Sequence, residues 1–170
     1  MARSPVMNFM KQQGFAQEPP DRAALRFKGL QFQPTVVGSM MLVAILTQSP
    51  AIFLLFSALL WLNVLVPAAN PFENFHNRFV ARRRGRPPLT PAPGPRRFAQ
   101  GMAAVFMLAA GLTLLQGWRT ASYVFQGLLA VAFAALLFGK FCLGAYVYHL
   151  LKGNVAFAMG PVPGMIQRSV

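Results

Sequence analysis

Acidic side chains are almost missing from this chain. Three Asp and Glu stand against sixteen Lys and Arg, a formal net charge of +13 over 170 residues. Two histidines and one cysteine complete a thin supply of metal ligands and titrating groups. The single cysteine, Cys142, excludes an intramolecular disulfide and any cysteine-rich metal site. So few carboxylates and imidazoles point away from a catalytic metal centre. The expectation is a non-enzyme with no metal and no bound cofactor. Charge of either sign is also scarce, at 11% of residues against about 25% in a typical soluble domain. The first 28 residues lack a continuous apolar core and do not read as a cleavable signal peptide.

What is abundant is apolar, at 55% of residues. From Gly29 to Phe72 no residue carries a formal charge. That run would be about 66 Å long as a helix at ~1.5 Å per residue. A bilayer core is about 30 Å thick, so the run suits two crossings. They are expected over Gln33–Thr47 and Pro50–Val66, broken at Gln48-Ser49-Pro50; a buried re-entrant pair is the alternative. The second half repeats the plan. Phe98–Gln116 and Ala121–Gly139 read as crossings around a Gly117-Trp118-Arg119-Thr120 turn, with Trp118 suited to the membrane interface. The apolar pattern resumes over Phe141–Leu151. The fold class is therefore an all-α integral membrane protein: four transmembrane helices as two hairpins, joined by a basic, Pro-rich cytoplasmic linker with an interfacial helix.

The expected divisions are 1–28, a cytoplasmic amino-terminal segment; 29–69, the first hairpin; 70–97, the interfacial helix and linker; 98–152, the second hairpin; and 153–170, a tail. Within the first, a short interfacial helix around Met7–Gln13 ending at Gly14 and an irregular tail are both open. In the linker Phe72, Phe75 and Phe79 recur at helical spacing, as in a helix lying in the headgroup plane. Arg78, Arg82, Arg83, Arg84, Arg86, Arg96 and Arg97 follow or flank them, and five prolines between Pro87 and Pro95 prevent a regular helix there. These arginines lie outside the apolar runs. That is the pattern of the positive-inside rule and of attraction to anionic headgroups, not of nucleic-acid binding. It places both termini and the linker in the cytoplasm.

No charged residue falls near the middle of a crossing, which argues against a proton relay or coupled transporter. Ser39, Ser57, Asn63, Thr113, Ser122 and Gln126 are the polar residues inside the crossings. Such groups usually hydrogen-bond a neighbouring helix; a substrate contact at Asn63 or Gln126 is the alternative. Ala130 with Ala134, and Ala135 with Gly139, stand at four-residue spacing and permit close helix approach. His76 and His149 lie too near helix ends for a comfortable haem pair and read as interface packing.

The segments Pro95-Arg-Arg-Phe-Ala-Gln100 and Phe141-Cys-Leu-Gly144 resemble motifs of the bacterial membrane family known as domain of unknown function 4395. The resemblance runs from about Arg26 to Lys152. It implies a four-helix protein of a bacterial inner membrane, with the first segment opening the second hairpin and the second in the last helix. It supplies no function. Family members often carry a Cys-x-x-Cys pair; here the first position is Cys142 and the second is Ala145. A dithiol could exchange disulfides with a thioredoxin-like partner, but this chain cannot do so within itself. Cys142 is expected to be an inert boundary thiol, with S-acylation as the alternative.

Three functions remain open. The first is a non-catalytic accessory or structural subunit, packing its helices against a larger membrane protein complex and laying its basic segments on lipid. The second is a small oligomeric transporter or channel. The third is a thiol-linked membrane protein using Cys142.

Overall fold

A computed structural model describes residues 5–17, 19–85 and 88–154. All regular structure among them is helical. In chain order the helices are α1 (Pro5–Gln12), α2 (Pro20–Leu30), α3 (Phe32–Thr47), α4 (Pro50–Leu65), α5 (Pro71–Phe75), α6 (Gly94–Leu115), α7 (Arg119–Leu137) and α8 (Leu143–Leu151). A π-helical stretch, His76–Ala81, continues α5. Among the described residues three helical stretches are long and apolar enough to cross a membrane: Leu25–Thr47, which runs from α2 through α3, Gly94–Leu115 and Arg119–Leu137. α4 is as apolar but has only 16 residues, about 24 Å at ~1.5 Å per residue.

The helix ends follow local chemistry. α3 stops at Gln48, which takes the left-handed conformation at φ 48°. Pro50 then opens α4 in the first turn, where its missing N–H costs little. α6 begins at Gly94 with Pro95 next, four residues before the expected start at Phe98, because proline is suited to that position as well. α1 ends before Gly14, whose φ is +94°.

The two expected hairpins do not stand apart. α4 packs most extensively on α6, across the linker, rather than on α3. Gly111 makes this possible: a Cβ there would lie 3.0 Å from Leu54 side-chain atoms. Ser57 Oγ donates to the Ala104 carbonyl across the same interface at 2.8 Å. Val37, Met41, Phe53, Leu60, Met107, Leu129 and Phe133 fill the main core. A second core gathers Phe9, Met10, Phe15, Ala23, Leu30 and Leu89. It folds α1 onto the bundle and holds the proline run down. Asn77 Nδ2 donates to the Leu89 carbonyl at 3.0 Å, and the Leu89 N–H donates to Asn77 Oδ1 at 2.7 Å. The Pro-rich segment is thus tied to the body rather than a free spacer. The outward faces of the long helices are apolar, with Leu46, Leu55, Leu115, Val124, Val131 and Phe138 exposed.

Candidate functional site

A buried polar cluster lies where α3, α5 and the start of α6 meet. Its origin is local. Pro34 has no N–H, so the Leu30 carbonyl four residues earlier loses its ordinary helical donor. The Arg96 guanidinium takes that place, with Nη1 and Nη2 donating to the Leu30 carbonyl at 3.5 and 3.4 Å. Arg96 Nη2 also donates to Gln33 Oε1 at 3.3 Å. Gln100, one turn further along α6, donates to the same oxygen at 3.0 Å, and Asn70 Nδ2 does so at 3.3 Å. Asn70 is in turn the cap of α5, its Oδ1 accepting from the Phe72 and Glu73 N–H groups.

That cap sets Glu73 facing inward. Its Oε1 lies 3.7 Å from Arg96 Nε, with both side chains about 5% exposed. The pair is loose, since neither of those two atoms makes a hydrogen bond. Burial pushes the Glu73 carboxyl above the ordinary glutamate range, and Arg96 pulls it part of the way back.

Cys142 closes the other side. It is 5% exposed, and its N–H donates to Gln12 Oε1 at 3.4 Å. Burial raises the thiol above its usual range; the Ala145 and Gly144 N–H groups, Gln13 and Arg96 oppose that rise. The net effect favours the neutral thiol over the thiolate that reacts and binds metals. Gly144 lets α8 lie directly on α6, because a Cβ there would sit 2.6 Å from Ala99 Cα. Ala99 and Gly144 belong to the two segments singled out in the sequence, so those segments are contact partners.

The chain matches the family described as Domain of unknown function (DUF4395) over residues 27–152. It belongs to that family. No curated protein and no solved structure matches it. In this member of DUF4395, α1 lies outside the matched residues, yet its last turn packs on the matched body. Phe9 and Met10 are buried, and His149 Nε2 lies 3.1 Å from the Gln12 carbonyl.

The residues read as surface contacts divide. Arg78, Arg82, Arg83 and Arg84 are exposed. Arg86 lies outside the described residues, as do 155–170 of the expected tail. Arg97 is exposed and donates from Nη2 to the Val64 carbonyl at 2.6 Å, satisfying an end of α4. Arg96 departs from the expectation: it is 4% exposed, at the cluster's centre. Phe75 and Phe79 are exposed and pair at 4.8 Å, while Phe72 turns inward against Phe56. Glu73, the next residue along α5, is buried as well. On α7, Ala130 and Ala135 are half-buried, and Ala134 and the following Gly139 are exposed. His76 and His149 are both buried within the chain. Among the described residues no group of three or more His, Cys, Asp or Glu could hold a metal ion.

The sequence reading missed Gln33, Asn70, Glu73 and Gln100. Two signals were available: Pro34 inside a helix, which must orphan a carbonyl, and the Asn70-Pro71 pair, which marks a cap followed by proline at the first helical position.

Proposed function

We propose that this protein is a non-catalytic accessory subunit of a larger complex in a bacterial inner membrane. It crosses four times, with α4 as the short second crossing. Both termini and the Arg82–Arg84 strip face the cytoplasm, on anionic headgroups, as the distribution of arginine favours. One observation carries the reading. The polar side chains within the crossings mostly bond other helices or their own backbone. Ser57 donates to Ala104, Ser122 to Ala110, and Thr113 to Ala109. Gln126 bonds Ser122 and exchanges hydrogen bonds with Gln48. Little is left to line a polar path, while an apolar surface with exposed small residues, Gly127 and Ala134 on α7, remains for partner helices.

The test is extraction in mild detergent followed by mass analysis of the intact assembly. A larger partner at fixed stoichiometry, lost in Ala134→Phe, supports the reading. A monomer or homo-oligomer without a partner refutes it. The transporter reading keeps one specific observation: Asn63 is fully buried in α4 with neither amide atom hydrogen-bonded. A homo-oligomer whose stability depends on a solute, and loses that dependence in Asn63→Leu, would favour it.

A further inference from the structure

An open groove of about 500 Å³ runs between α4 and α6 on the outside of the bundle, within the ~300–1,000 Å³ range of ligand sites. Its walls are mainly apolar, from Trp61, Val64, Phe98, Met102, Val105 and Phe106. The one charged residue in its lining is Arg97. Arg97 is exposed. Its Nε and Nη2 donate to the Val64 carbonyl, and Nη1 has no hydrogen-bond partner among the described residues. No described carboxylate pairs with it, since Glu73 stands against Arg96 instead. The Tyr148 hydroxyl lies at the same end, where a Cβ on Gly94 would be 3.1 Å from Tyr148 Oη. The groove is thus cationic and polar at one end and apolar along the rest. Nine residues of α6 separate Arg97 from Phe106, ~13.5 Å of helix, close to half of a ~30 Å hydrocarbon core.

We propose that this groove holds one anionic diacyl phospholipid, its phosphate on Arg97 and an acyl chain laid along α6. The site deepens the headgroup contact of the accessory reading and does not depend on a partner complex. Three features select that occupant. Arg97 is a cation without a counter-charge at the end of an apolar helix, the level at which phosphates stand. A zwitterionic headgroup would bring its own ammonium to a place with no carboxylate to receive it, so a net negative lipid is favoured. Trp61 lies one turn of α4 before Val64, ~4.5 Å deeper. Its indole N–H can donate to an ester carbonyl beneath the phosphate, a depth that suits tryptophan. Below these donors Met102, Val105 and Phe106 line one leaflet's depth of groove. A soluble anion would use the cationic end and leave that length uncovered. A partner helix would have to carry an acidic residue into the membrane to meet Arg97, which is costly.

The test reconstitutes the full chain in nanodiscs of phosphatidylglycerol and phosphatidylcholine, equal in amount and matched in acyl chains, then releases it into mild detergent for native mass analysis. One phosphatidylglycerol per chain should remain, favoured over phosphatidylcholine about fivefold or more, the factor that corresponds to ~1 kcal/mol per surface arginine. Arg97→Gln should lower its retention to the phosphatidylcholine level, and Arg97→Lys should keep it. Gly101→Leu fills the groove with Arg97 intact and should release the lipid while the thermal transition persists. A Cβ at Gly101 meets Val64 Cγ2 at an ordinary 3.7 Å. If that variant does not fold, Val105→Trp at an exposed position serves. Arg83→Gln, an exposed arginine outside the groove, should change nothing. Equal retention of the two lipids would overturn the proposal. So would equal losses in Arg83→Gln and Arg97→Gln, the result of general attraction to a basic surface. Lipid retention that survives groove filling, displacement by millimolar glycerol phosphate, or a second copy or another protein found in place of the lipid would each do the same. A chain that keeps the lipid but has no protein partner would refute the accessory reading and support this site.

Discussion

Replacing Arg96 by Gln tests the buried pair. The change removes the cation 3.7 Å from Glu73 Oε1 and withdraws donors from the Leu30 and Gln33 oxygens. Breaking one side of a buried ion pair typically costs about 3–5 kcal/mol, because the remaining charge is stranded. The loose contact here places the expected loss near ~3 kcal/mol, still a large part of a typical 5–15 kcal/mol stability. The sign of the pH dependence follows from Glu73. Burial already holds its folded pKa above the unfolded value, and Arg96 opposes that. Without Arg96 the folded pKa rises further, so between the two values the folded state binds a proton that the unfolded state does not. Stability is then greatest below the unfolded pKa and falls as pH rises through the folded one. The charge-dependent part of the penalty in Arg96→Gln should be larger at neutral pH and shrink as pH falls to the ordinary glutamate range, leaving the cost of the lost hydrogen bonds. Adding Glu73→Gln should recover a large part of it at neutral pH, since a neutral amide needs no counter-ion. The assay is reversible denaturation in mixed micelles across pH, for both single variants and the double variant. Equal losses in Arg96→Gln at acid and neutral pH, or additive losses in the double variant, would refute the pairing.

Four further changes probe the framework. Gly144→Ala drives a Cβ to 2.6 Å from Ala99 Cα and should lower stability by about 1–3 kcal/mol; Gly127→Ala, with nothing within 4 Å, should be neutral or stabilise by up to ~1 kcal/mol in the same micelle assay. Ser57→Ala removes the bond to the Ala104 carbonyl and should cost only about 0.6 kcal/mol, the usual scale for hydrogen bonds between membrane helices. Asn77→Ala strands both backbone groups of buried Leu89, a local cost of about 1–3 kcal/mol; cleavage beside Leu89 by chymotrypsin should become faster, and an unchanged rate would show that the segment is held by something else.

The long helices were legible in the sequence because they depend on local properties. An uncharged run, the Gln48-Ser49-Pro50 break and the Gly117-Trp118 turn act within a few residues of where they stand. The pairing of helices was not legible. Alternation of apolar and small residues marks Gly111 as a close-approach position without saying that Leu54, rather than lipid, lies opposite. α1 was ambiguous for the same reason. Met7, Phe9 and Met10 left an interfacial helix and an irregular tail both open, because nothing local announces that Leu30 and Leu89 lie beneath them.

Arg96 shows the limit most clearly. Beside Arg97 at the start of an apolar helix, it has the sequence context of a headgroup contact, and Arg97 does remain at the surface. The two differ by one position, which on a helix is a rotation of about 100°. Arg97 falls on the side of α4 and reaches the Val64 carbonyl; Arg96 falls toward α3, where Pro34 has left the Leu30 carbonyl open. The proline cost is local to α3, but the donor that meets it lies 66 residues away from Leu30. Placing a guanidinium there then requires a carboxylate, and Glu73 is turned inward by the Asn70 cap to stand nearby. Each step has a local rule, yet the cluster exists only when α3, α5 and α6 converge. Its polarity is thus a consequence of repairing one backbone vacancy.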